Sequence, residues 1–401
     1  MKSLTLAAID IGSGSIKGIL ASKDLKSGEL EVLAISQSQC FGVRNGEVVS
    51  PEQVALGITK AKEDLSEGGK SKIREIVANI GGTHLFSVHS QGLVSVSRAD
   101  QTISKEDIQR ALKEAEAVNL QSNKEILEVF PKEFVVDGEG GIKEPLGLRG
   151  VRLEVKALLA CVFSPISDNL EKAIALSGLA YSDIFITPLA SARAILSQEQ
   201  KELGVAVVDI GFSVTSLAVF DKGDLVDFAV FPVGSSHITN DLAIGLRTEI
   251  QAAESIKQEF GTLKAKEKKP GSDKIKLPDK EVEFSRGFLK DVIESRVEEI
   301  FLEVQKSLKK MIGSNQLPCG IILTGGGSLL PGIIDFTKQK MKLPCRLGEI
   351  KHFKGIEDSK FSTCCGLALL AFDNLEKSGG ESVAVGKFGR KIKRIFKAFL
   401  P

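Results

Sequence analysis

The chain has 401 residues, more than one ordinary hydrophobic core holds, and its 42% hydrophobic and 26% charged residues are typical of a globular protein with two or more domains. A net charge of +1 gives no overall field that would attract nucleic acid, and with no Trp and one Tyr the chain lacks aromatic platforms for single strands. The six cysteines and four histidines show no metal-ligand spacing, and we do not expect a catalytic cysteine. Because no secretory signal is recognisable, we expect a cytosolic protein with reduced thiols.

The first predicted element is a β-hairpin near the start of the chain. A short apolar run ends in Asp10, a Gly/Ser turn follows, and a second apolar run comes after the turn. Glycines let backbone N–H groups approach an anion, Asp10 could hold the water shell of Mg²⁺, and Lys17 could reach a phosphate. The alternative is a polar turn after a buried strand. The candidate phosphate-binding residues are Asp10, Gly12, Ser13, Gly14, Ser15 and Lys17.

Further strands and one helix follow before the sequence changes in character. Strands are predicted over 29–38 and 73–80, with a helix between them that begins at Pro51 after an N-cap at Ser50. Residues 84–161 combine strand-like alternation with a capped helix, which predicts a small α+β insert. The insert could merely pack on the first domain, or its exposed strands could form contacts in a polymer.

A second hairpin of the same design lies in the middle of the chain. After a predicted helix over 170–180 and a strand over 184–186, residues 205–220 again place Asp-Ile-Gly and hydroxyl residues between two apolar runs. Two such hairpins that face each other could hold a triphosphate and its Mg²⁺ between two domains, with Asp10 and Asp209 as the carboxylates that organise the metal. The candidates in the second turn are Asp209, Gly211, Ser213 and Thr215.

The segment after the second hairpin is predicted to be largely helical. Glu254 and Lys257 are three residues apart and share one helix face, where a surface ion pair is the alternative to a ligand-binding role. Residues 262–283 are rich in Lys, Pro and Gly, which predicts a flexible excursion or a short hairpin. Residues 289–311 have the periodicity of a long amphipathic helix.

A third glycine turn follows an apolar strand near residue 321. It consists of Gly325, Gly326 and Gly327, and such backbone suits close approach to a flat adenine or ribose. Further on, Gly366 would permit close packing of a helix.

The C-terminal residues differ from the rest of the chain. Residues 373–386 have the composition of a tether, and 387–401 place apolar side chains on one helical face with six Lys or Arg residues around it. This pattern suits an anionic membrane surface, while the alternative is a helix that packs on the body. Each cation contributes roughly 1 kcal/mol near an anionic leaflet and backbone ordering costs roughly 1–2 kcal/mol per residue, so one segment should bind reversibly. The candidate membrane-binding residues are Phe388, Lys391, Ile392, Arg394, Ile395, Phe396, Lys397 and Phe399.

The three turns, in this order, resemble the two phosphate loops and the adenosine loop of the actin/Hsp70/sugar-kinase ATPase superfamily. The insert is more specific: Pro131 with Phe134, Asp137-Gly138, the run 142–147 and residues 152–155 resemble the insert peculiar to the FtsA family of bacterial cell division. This resemblance implies an α/β, actin-like ATPase fold of two duplicated domains around a nucleotide cleft, with an FtsA-type α+β insert subdomain and a C-terminal amphipathic helix.

The resemblance also predicts domain boundaries. The first core subdomain would comprise 1–83, 162–203 and 348–372, and the insert 84–161. The second core subdomain would comprise 204–241 and 317–347, with an outer helical subdomain over 242–316. A linker over 373–386 and a membrane-targeting helix over 387–401 would complete the chain.

Two positions depart from the superfamily pattern. In several members, an acidic residue or Gln just before the Pro of the first interdomain connection orients the attacking water. This chain has Thr187 at that position, before Pro188. A hydroxyl is a poor base at neutral pH, so we predict at most slow ATP hydrolysis. Phe212 stands where many relatives have glycine, and a bulky side chain tolerates positive φ poorly.

The family resemblance implies an ATP-binding cell-division protein with ATP and Mg²⁺ as cofactors, in which the Glu254–Lys257 pair lies near the ribose. Its partners would be FtsZ, further copies of itself in a filament, an anionic membrane surface and other division proteins. It would tether the FtsZ ring to the cytoplasmic face of the cell membrane at the septum. Two alternatives remain, an actin-like scaffold of a pilus or secretion machine and a small-metabolite kinase, although the sequence offers no motif for a catalytic Asp in a substrate pocket.

Overall fold

The computed structural model describes residues 3–264, 272–276, 281–313 and 317–377. This part of the chain forms two core sheets, each built on one of the predicted hairpins, and a four-stranded insert sheet whose strands lie between the two hairpins in sequence. Helices pack on the core sheets, which gives an α/β architecture with a repeated plan.

The chain up to residue 80 forms the first hairpin and its neighbours. Its elements are β1 (Ser3–Ile11), β2 (Ser15–Asp24), β3 (Leu30–Gln39), β4 (Val43–Arg44), β5 (Glu47–Val48), α1 (Pro51–Gly68) and β6 (Glu75–Ile80). The predicted hairpin is confirmed, because β1 and β2 pair in antiparallel register up to Ile11 and Ile16. Helix α1 begins at Pro51 as predicted, although the Ser50 side chain makes no capping hydrogen bond.

The insert forms its own sheet and core. Its elements are β7 (Leu85–Ser95), α2 (Lys105–Glu116), β8 (Lys124–Val136), β9 (Glu139–Ile142) and β10 (Arg152–Phe163). The strands follow the order β7-β10-β8-β9 with antiparallel pairing, and α2 covers one face. Ser104 and Asp107 form a reciprocal capping box at the start of α2. Ile108 and Phe134 are buried between helix and sheet.

The second hairpin follows the insert. Its region comprises α3 (Ser164–Leu176), β11 (Ala180–Ile186), α4 (Thr187–Ile195), α5 (Gln198–Leu203), β12 (Val205–Ile210), β13 (Thr215–Asp221) and β14 (Asp224–Phe231). The predicted hairpin is again confirmed by the antiparallel pairing of β12 with β13. The helix predicted over 170–180 is wrong at both ends, since α3 begins at Ser164 and stops before Gly178. Gly178 has a φ of 70°, a left-handed conformation that an α-helix cannot continue through.

The last described region contains α6 (Ser235–Gly245), α7 (Ile250–Phe260), β15 (Ser272–Lys276), β16 (Glu281–Ser285), α8 (Arg286–Ile312), β17 (Ile321–Thr324), α9 (Ile333–Met341), β18 (Cys345–Leu347), β19 (Phe353–Lys354) and α10 (Ser362–Lys377). The long helix and a short hairpin are confirmed by α8 and by the pairing of β15 with β16. The tether predicted to begin at 373 is wrong in its first residues. Helix α10 continues to Lys377, and Asp373 within it pairs with Arg193 at 2.9 Å.

The two core sheets have matching plans. The first has the order β11-β6-β1-β2-β3-β19, and the second β14-β13-β12-β17-β18. In each sheet the first strand of the hairpin also pairs in parallel with a later strand, β1 with β6 and β12 with β17. This arrangement brings the carboxyl ends of β1 and β12 to the region where the two halves meet.

Helices α4 and α10 pack closely on one another between the sheets. A Cβ atom at Gly366 would lie 1.7 Å from the carbonyl oxygen of Ala190, so the predicted close packing at this glycine is confirmed. Each of the six cysteines, all within the described residues, is free, and Cys364 and Cys365 on α10 are fully buried.

The insert also contacts β14 of the second half. Lys132 donates a hydrogen bond to the carbonyl oxygen of Val226, and Lys143 pairs with Asp224. Within the residues described, no helix is both long and apolar enough to cross a bilayer.

Candidate functional site

A cleft of about 730 Å³ lies where the glycine turns meet, a volume in the range of small-molecule sites. Every residue predicted to contact the nucleotide lines it except Thr215. These residues are Asp10, Gly12, Ser13, Gly14, Ser15, Lys17, Asp209, Gly211, Ser213, Glu254, Lys257, Gly325, Gly326 and Gly327. The structure thus brings together segments that are far apart in sequence.

The turns of the two hairpins have equivalent backbone geometry. In the first, Gly12 N donates to Ser15 O at 3.2 Å, and in the second, Gly211 N donates to Val214 O at 2.9 Å. Phe212 does not have the positive φ that would strain a bulky side chain, so the expected strain at this position is absent.

Asp10 and Lys17 face each other across the first hairpin. Lys17 Nζ lies 2.7 Å from Asp10 Oδ2, and both side chains are largely buried. Burial opposes the charge on Lys17, but the Asp10 carboxylate more than compensates and raises the pKa of Lys17 above its ordinary value. Lys17 is therefore a fixed cation at the inner end of the cleft, where it can stabilise an anion as a point charge.

Asn79 is a site residue that sequence analysis missed. Its side-chain oxygen accepts from Ile11 N at 2.7 Å, and its Nδ2 donates to Asp10 Oδ1 and to Thr187 Oγ1, each at 3.0 Å. The available signal was a polar residue in the apolar strand β6, where a buried amide must find partners. The Thr187 hydroxyl both accepts and donates a hydrogen bond, because it also donates to Ile80 O at 3.2 Å.

Asp209 is the penultimate residue of β12 and is 9% exposed. Burial and the nearby Asp10 carboxylate raise the pKa of Asp209 to about 6. Lys17 opposes this shift, as do hydrogen bonds from the hydroxyls of Ser191 and Thr363. Two buried carboxylates that line one cleft favour a cation nearby, and oxygen donors of this kind suit Mg²⁺.

The tips of the two turns are in direct contact. Ser213 Oγ donates to Ser13 Oγ at 2.7 Å, although the residues are 200 positions apart, and Ser13 Oγ also accepts from Gly46 N at 2.9 Å. The ring of Phe212 lies against Gly14, where an added Cβ would come within 2.7 Å of Phe212 Cγ. We refer to Ser13, Gly14, Phe212 and Ser213 as the turn contact.

Glu254 and Lys257 do not form the surface ion pair that was the alternative. Lys257 is buried, and its Nζ lies 2.7 Å from Glu254 Oε2 and 2.8 Å from Thr239 Oγ1, with Ser235 O at 3.2 Å. Burial works against ionisation of Glu254, but hydrogen bonds from Lys257 and Thr239 hold the pKa of Glu254 below its ordinary value. The pair is thus a fixed polar group in the cleft wall.

The third turn meets the end of β12. Gly325 has a φ of 81°, and an added Cβ there would lie 2.2 Å from Asp209 Oδ1. At Gly327 an added Cβ would lie 2.4 Å from Ile210 Cγ2, whereas at Gly326 the nearest atom is at 4.0 Å. Gly326 is therefore the member of this turn with open space beside it.

Two sets of predicted residues lie elsewhere. The prediction for Thr215 is wrong, because this residue is fully buried in β13 and its hydroxyl donates to Val233 O at 2.8 Å. Its hydroxyl thus satisfies a backbone carbonyl instead of facing the cleft. The membrane-binding residues predicted over 387–401 lie outside the described residues.

The residues of the cleft fit a nucleotide with a divalent cation. Carboxylates at Asp10 and Asp209, the cation of Lys17 and two turns rich in N–H groups provide donors and acceptors of the right chemistry. The backbone at Gly325 lies so close to the Asp209 carboxylate that a side chain at position 325 would not fit. Glycine is expected where a carboxylate or a flat ligand lies directly against the backbone.

Two family profiles match the chain. The one described as "Cell division protein FtsA" matches residues 206–366, and the one described as "SHS2 domain inserted in FTSA" matches residues 82–160. FtsA of Pseudomonas aeruginosa is 34% identical over 388 residues, which covers 95% of this chain and 92% of that relative. The chain belongs to the FtsA family. FtsA of Neisseria meningitidis is 32% identical, with 90% of this chain and 89% of the relative covered.

Solved structures of similar fold confirm the actin-like fold. The PilM-PilN type IV pilus biogenesis complex matches with a TM-score of 0.65 and 16% identity, over 92% of this chain and 98% of that one. MreB 5 of Spiroplasma citri bound to AMPPNP matches with a TM-score of 0.55 and 13% identity, over 94% and 100% of the two chains. At these identities the likeness concerns the fold alone. Together with the insert profile, it confirms an FtsA-type, actin-like α/β fold.

Proposed function

We propose that this protein binds Mg²⁺·ATP in the cleft between its two halves, assembles into filaments and tethers the FtsZ ring to the cytoplasmic face of the bacterial cell membrane at the septum. In this proposal ATP acts mainly as an assembly switch, and hydrolysis is slow. Other division proteins would bind to the same assembly. Membership of the FtsA family favours this function over a pilus scaffold or a metabolite kinase.

The convergence of three glycine turns on one cleft supports nucleotide binding most strongly. Lys17 and the N–H groups of the first two turns would hold the phosphates, and Asp10 and Asp209 would hold the ion. The bound ion would neutralise phosphate charge. Glu254 and Lys257 would lie near the ribose and the third turn near the base. A structural neighbour, MreB 5 of Spiroplasma citri, was solved with AMPPNP.

Nucleotide binding is tested by equilibrium dialysis of the full-length protein with ATP, with and without Mg²⁺. We expect Lys17→Ala to weaken ATP binding at least about tenfold, since a charge-assisted contact of this kind contributes about 1.5–3 kcal/mol. Lys338→Ala is the matched control, because Lys338 pairs only loosely with Asp335 on the surface of α9, at 3.9 Å. Equal ATP affinity for all three proteins would contradict the proposed site.

The tethering role is tested by co-sedimentation with liposomes that contain anionic lipid. Full-length protein is compared with a version that ends at Gly386, each with and without Mg²⁺·ATP. We expect only the full-length protein to pellet, and more of it with Mg²⁺·ATP, because a filament presents many weak anchors at high effective concentration. Pelleting of the shortened protein would refute the assignment of the anchor to 387–401.

Two further comparisons separate assembly and partner binding from lipid binding. A variant that does not polymerise should bind liposomes more weakly than wild type, and equal binding would contradict the coupling of assembly to membrane recruitment. Binding to a short C-terminal FtsZ peptide, measured by fluorescence anisotropy, distinguishes the division role from the pilus alternative. Absence of binding would favour the pilus scaffold.

A further inference from the structure

We propose that Gln258, a residue of the cleft wall, selects the base of the bound nucleotide: its side-chain oxygen accepts a hydrogen bond from the 6-amino group of adenine. The protein would then distinguish a 6-amino purine from a purine that lacks this group or carries an oxygen in its place. This role rests on the proposed function, because the base belongs to the nucleotide bound in the same cleft. It adds the side chain that selects the base and the chemical group that is selected.

A neighbour on helix α7 fixes the orientation of the Gln258 side chain. Gln258 Nε2 donates to Glu254 Oε1 at 2.8 Å. The other oxygen, Glu254 Oε2, pairs with Lys257 Nζ at 2.7 Å and accepts from the Thr239 hydroxyl. A carboxylate in such an ion pair is ionised and can only accept hydrogen bonds, so the nitrogen of the Gln258 amide must face it. The amide oxygen of Gln258 then points away from Glu254 and can accept from a ligand.

The end of α7 that carries Gln258 is held close to an apolar part of the cleft wall. At Gly261, one turn after Gln258, an added Cβ would lie 3.2 Å from Ile293 Cδ1 of α8. Leu263 N donates to Pro331 O at 2.7 Å, which joins the chain after α7 to the segment that follows the third turn. Helix α8 and that segment line the cleft with Val297, Ile300, Leu330, Pro331 and Ile333. Apolar side chains of this kind suit the face of a flat purine, whose edge then needs a polar partner.

An acceptor at this position distinguishes purines by the group at their position 6. Adenine carries an amino group there, which donates, whereas guanine carries an oxygen, which accepts. An oxygen that faces the amide oxygen of Gln258 would leave two acceptors without a hydrogen between them. Rotation of the amide would not remove this conflict, because it would turn the Gln258 oxygen toward the Glu254 carboxylate and break the bond from Nε2. Glu254 therefore makes an acceptor of a side chain that could otherwise present either group.

The test compares ATP with purine riboside 5′-triphosphate, which differs from ATP only in lacking the 6-amino group. Equilibrium dialysis of the full-length protein in the presence of Mg²⁺ measures the Kd of each ligand. We expect the wild type to bind ATP about two- to tenfold more tightly, which is the range of one neutral hydrogen bond. ITP carries an oxygen at position 6 and should bind more weakly than either ligand.

Two variants of Gln258 separate the contact with the base from other effects. Gln258→Leu removes the acceptor and should bind ATP and purine riboside triphosphate with equal affinity. The two ligands share ribose and phosphates, so a change at Glu254 affects both and cancels in the ratio of their Kd values. Gln258→Lys can still pair with Glu254 but offers a donor, so it should prefer ITP to ATP. Gln251→Leu, at an exposed position about two turns earlier in α7, is the control and should keep the wild-type ratios.

The Kd values of the wild type separate this role of Gln258 from the proposed function. If the wild type binds ATP and purine riboside triphosphate equally well, or if Gln258→Leu keeps the preference for ATP, Gln258 does not select the base and the nucleotide site stands. If no nucleotide binds to the wild type, the proposed function fails first and the role of Gln258 fails with it. Should Gln258→Leu bind neither ligand, Gln258→Lys decides, because an unchanged preference for ATP over ITP in that variant would refute the proposal.

Discussion

Asn79 Nδ2 donates a hydrogen bond to Asp10 Oδ1 at 3.0 Å, across 69 residues of sequence. This bond joins β6 to the end of β1 and fixes the carboxylate that also pairs with Lys17. The same amide accepts from Ile11 N and donates to Thr187, so one neutral side chain positions three parts of the cleft. Asn79 is a positioning residue, because in the proposed function it acts through Asp10.

We expect Asn79→Ala to lower the free energy of unfolding by about 1–3 kcal/mol, because it removes the buried amide partner of Ile11 N and of Asp10 Oδ1. Urea unfolding measures the change. Asn240→Ala, at an exposed position of α6, is the control and should change stability by less than about 0.5 kcal/mol. A cost for Asn79→Ala no larger than that of the control would contradict the bridging role.

We expect slow ATP hydrolysis, well below the about 10 s⁻¹ that is typical of enzymes. The hydroxyl of Thr187 already donates to Ile80 O and accepts from Asn79, so it is not free to orient water. Phosphate release should therefore be unchanged in Thr187→Val and should rise in Thr187→Gln, by at most about a hundredfold. Loss of activity in the valine variant would show that the hydroxyl takes part.

The third turn offers a matched pair of glycines. Gly325→Ala would place a methyl group 2.2 Å from Asp209 Oδ1 at a φ of 81°, whereas Gly326→Ala meets its nearest atom only at 4.0 Å. We expect the first substitution to destabilise the protein by at least about 1 kcal/mol, and the second to preserve stability while weakening nucleotide binding. Thermal unfolding and equilibrium dialysis measure the two effects. If Gly326→Ala left the affinity for nucleotide unchanged, the nucleoside would not bind beside this turn.

Acidic pH should lower the stability of the insert, because Asp107 then becomes protonated. Burial would raise the pKa of Asp107, but hydrogen bonds from Ser104, Arg110 and Ser97 hold it far below its ordinary value. A lowered folded-state pKa contributes stability that is present above the unfolded value of about 4 and is lost as pH falls below it. Asp107→Asn should therefore be less stable than wild type at pH 7, by about 1–3 kcal/mol, with the difference shrinking below pH 4.

Urea unfolding at several pH values checks this expectation. Glu139→Gln, an exposed carboxylate in β9, is the control and should show no such trend. A difference between Asp107→Asn and wild type that stays constant down to pH 3 would contradict the ionised cap.

Local pattern was enough to predict both hairpins and the long helix α8. The hairpins are short-range structures in which an apolar run, a glycine turn and a second apolar run follow one another, so adjacent residues define them. The same holds for Pro51 at the start of α1, since its ring fixes a helical φ and needs no hydrogen-bond partner.

The sequence-based predictions are wrong or incomplete where a residue's structure depends on partners that are distant in sequence. Thr215 has a hydroxyl at the right place in sequence, but Val233 lies beside it only after β14 has folded back. Asn79 is an isolated polar residue whose partners are 68 and 108 positions away. Helix α10 continues past 373 because Arg193 supplies a partner for Asp373, which composition alone does not reveal.

Helix α10 begins at Ser362, in the cleft, where Thr324 donates to its hydroxyl at 2.9 Å, and it ends at Lys377. Its 16 residues span about 24 Å. Since Gly366 is packed directly on α4 and Asp373 is paired, the helix has a fixed orientation in the first half. In a filament of the kind proposed above, the C-terminal ends of α10 would therefore recur at regular intervals and with the same orientation in every subunit of a strand.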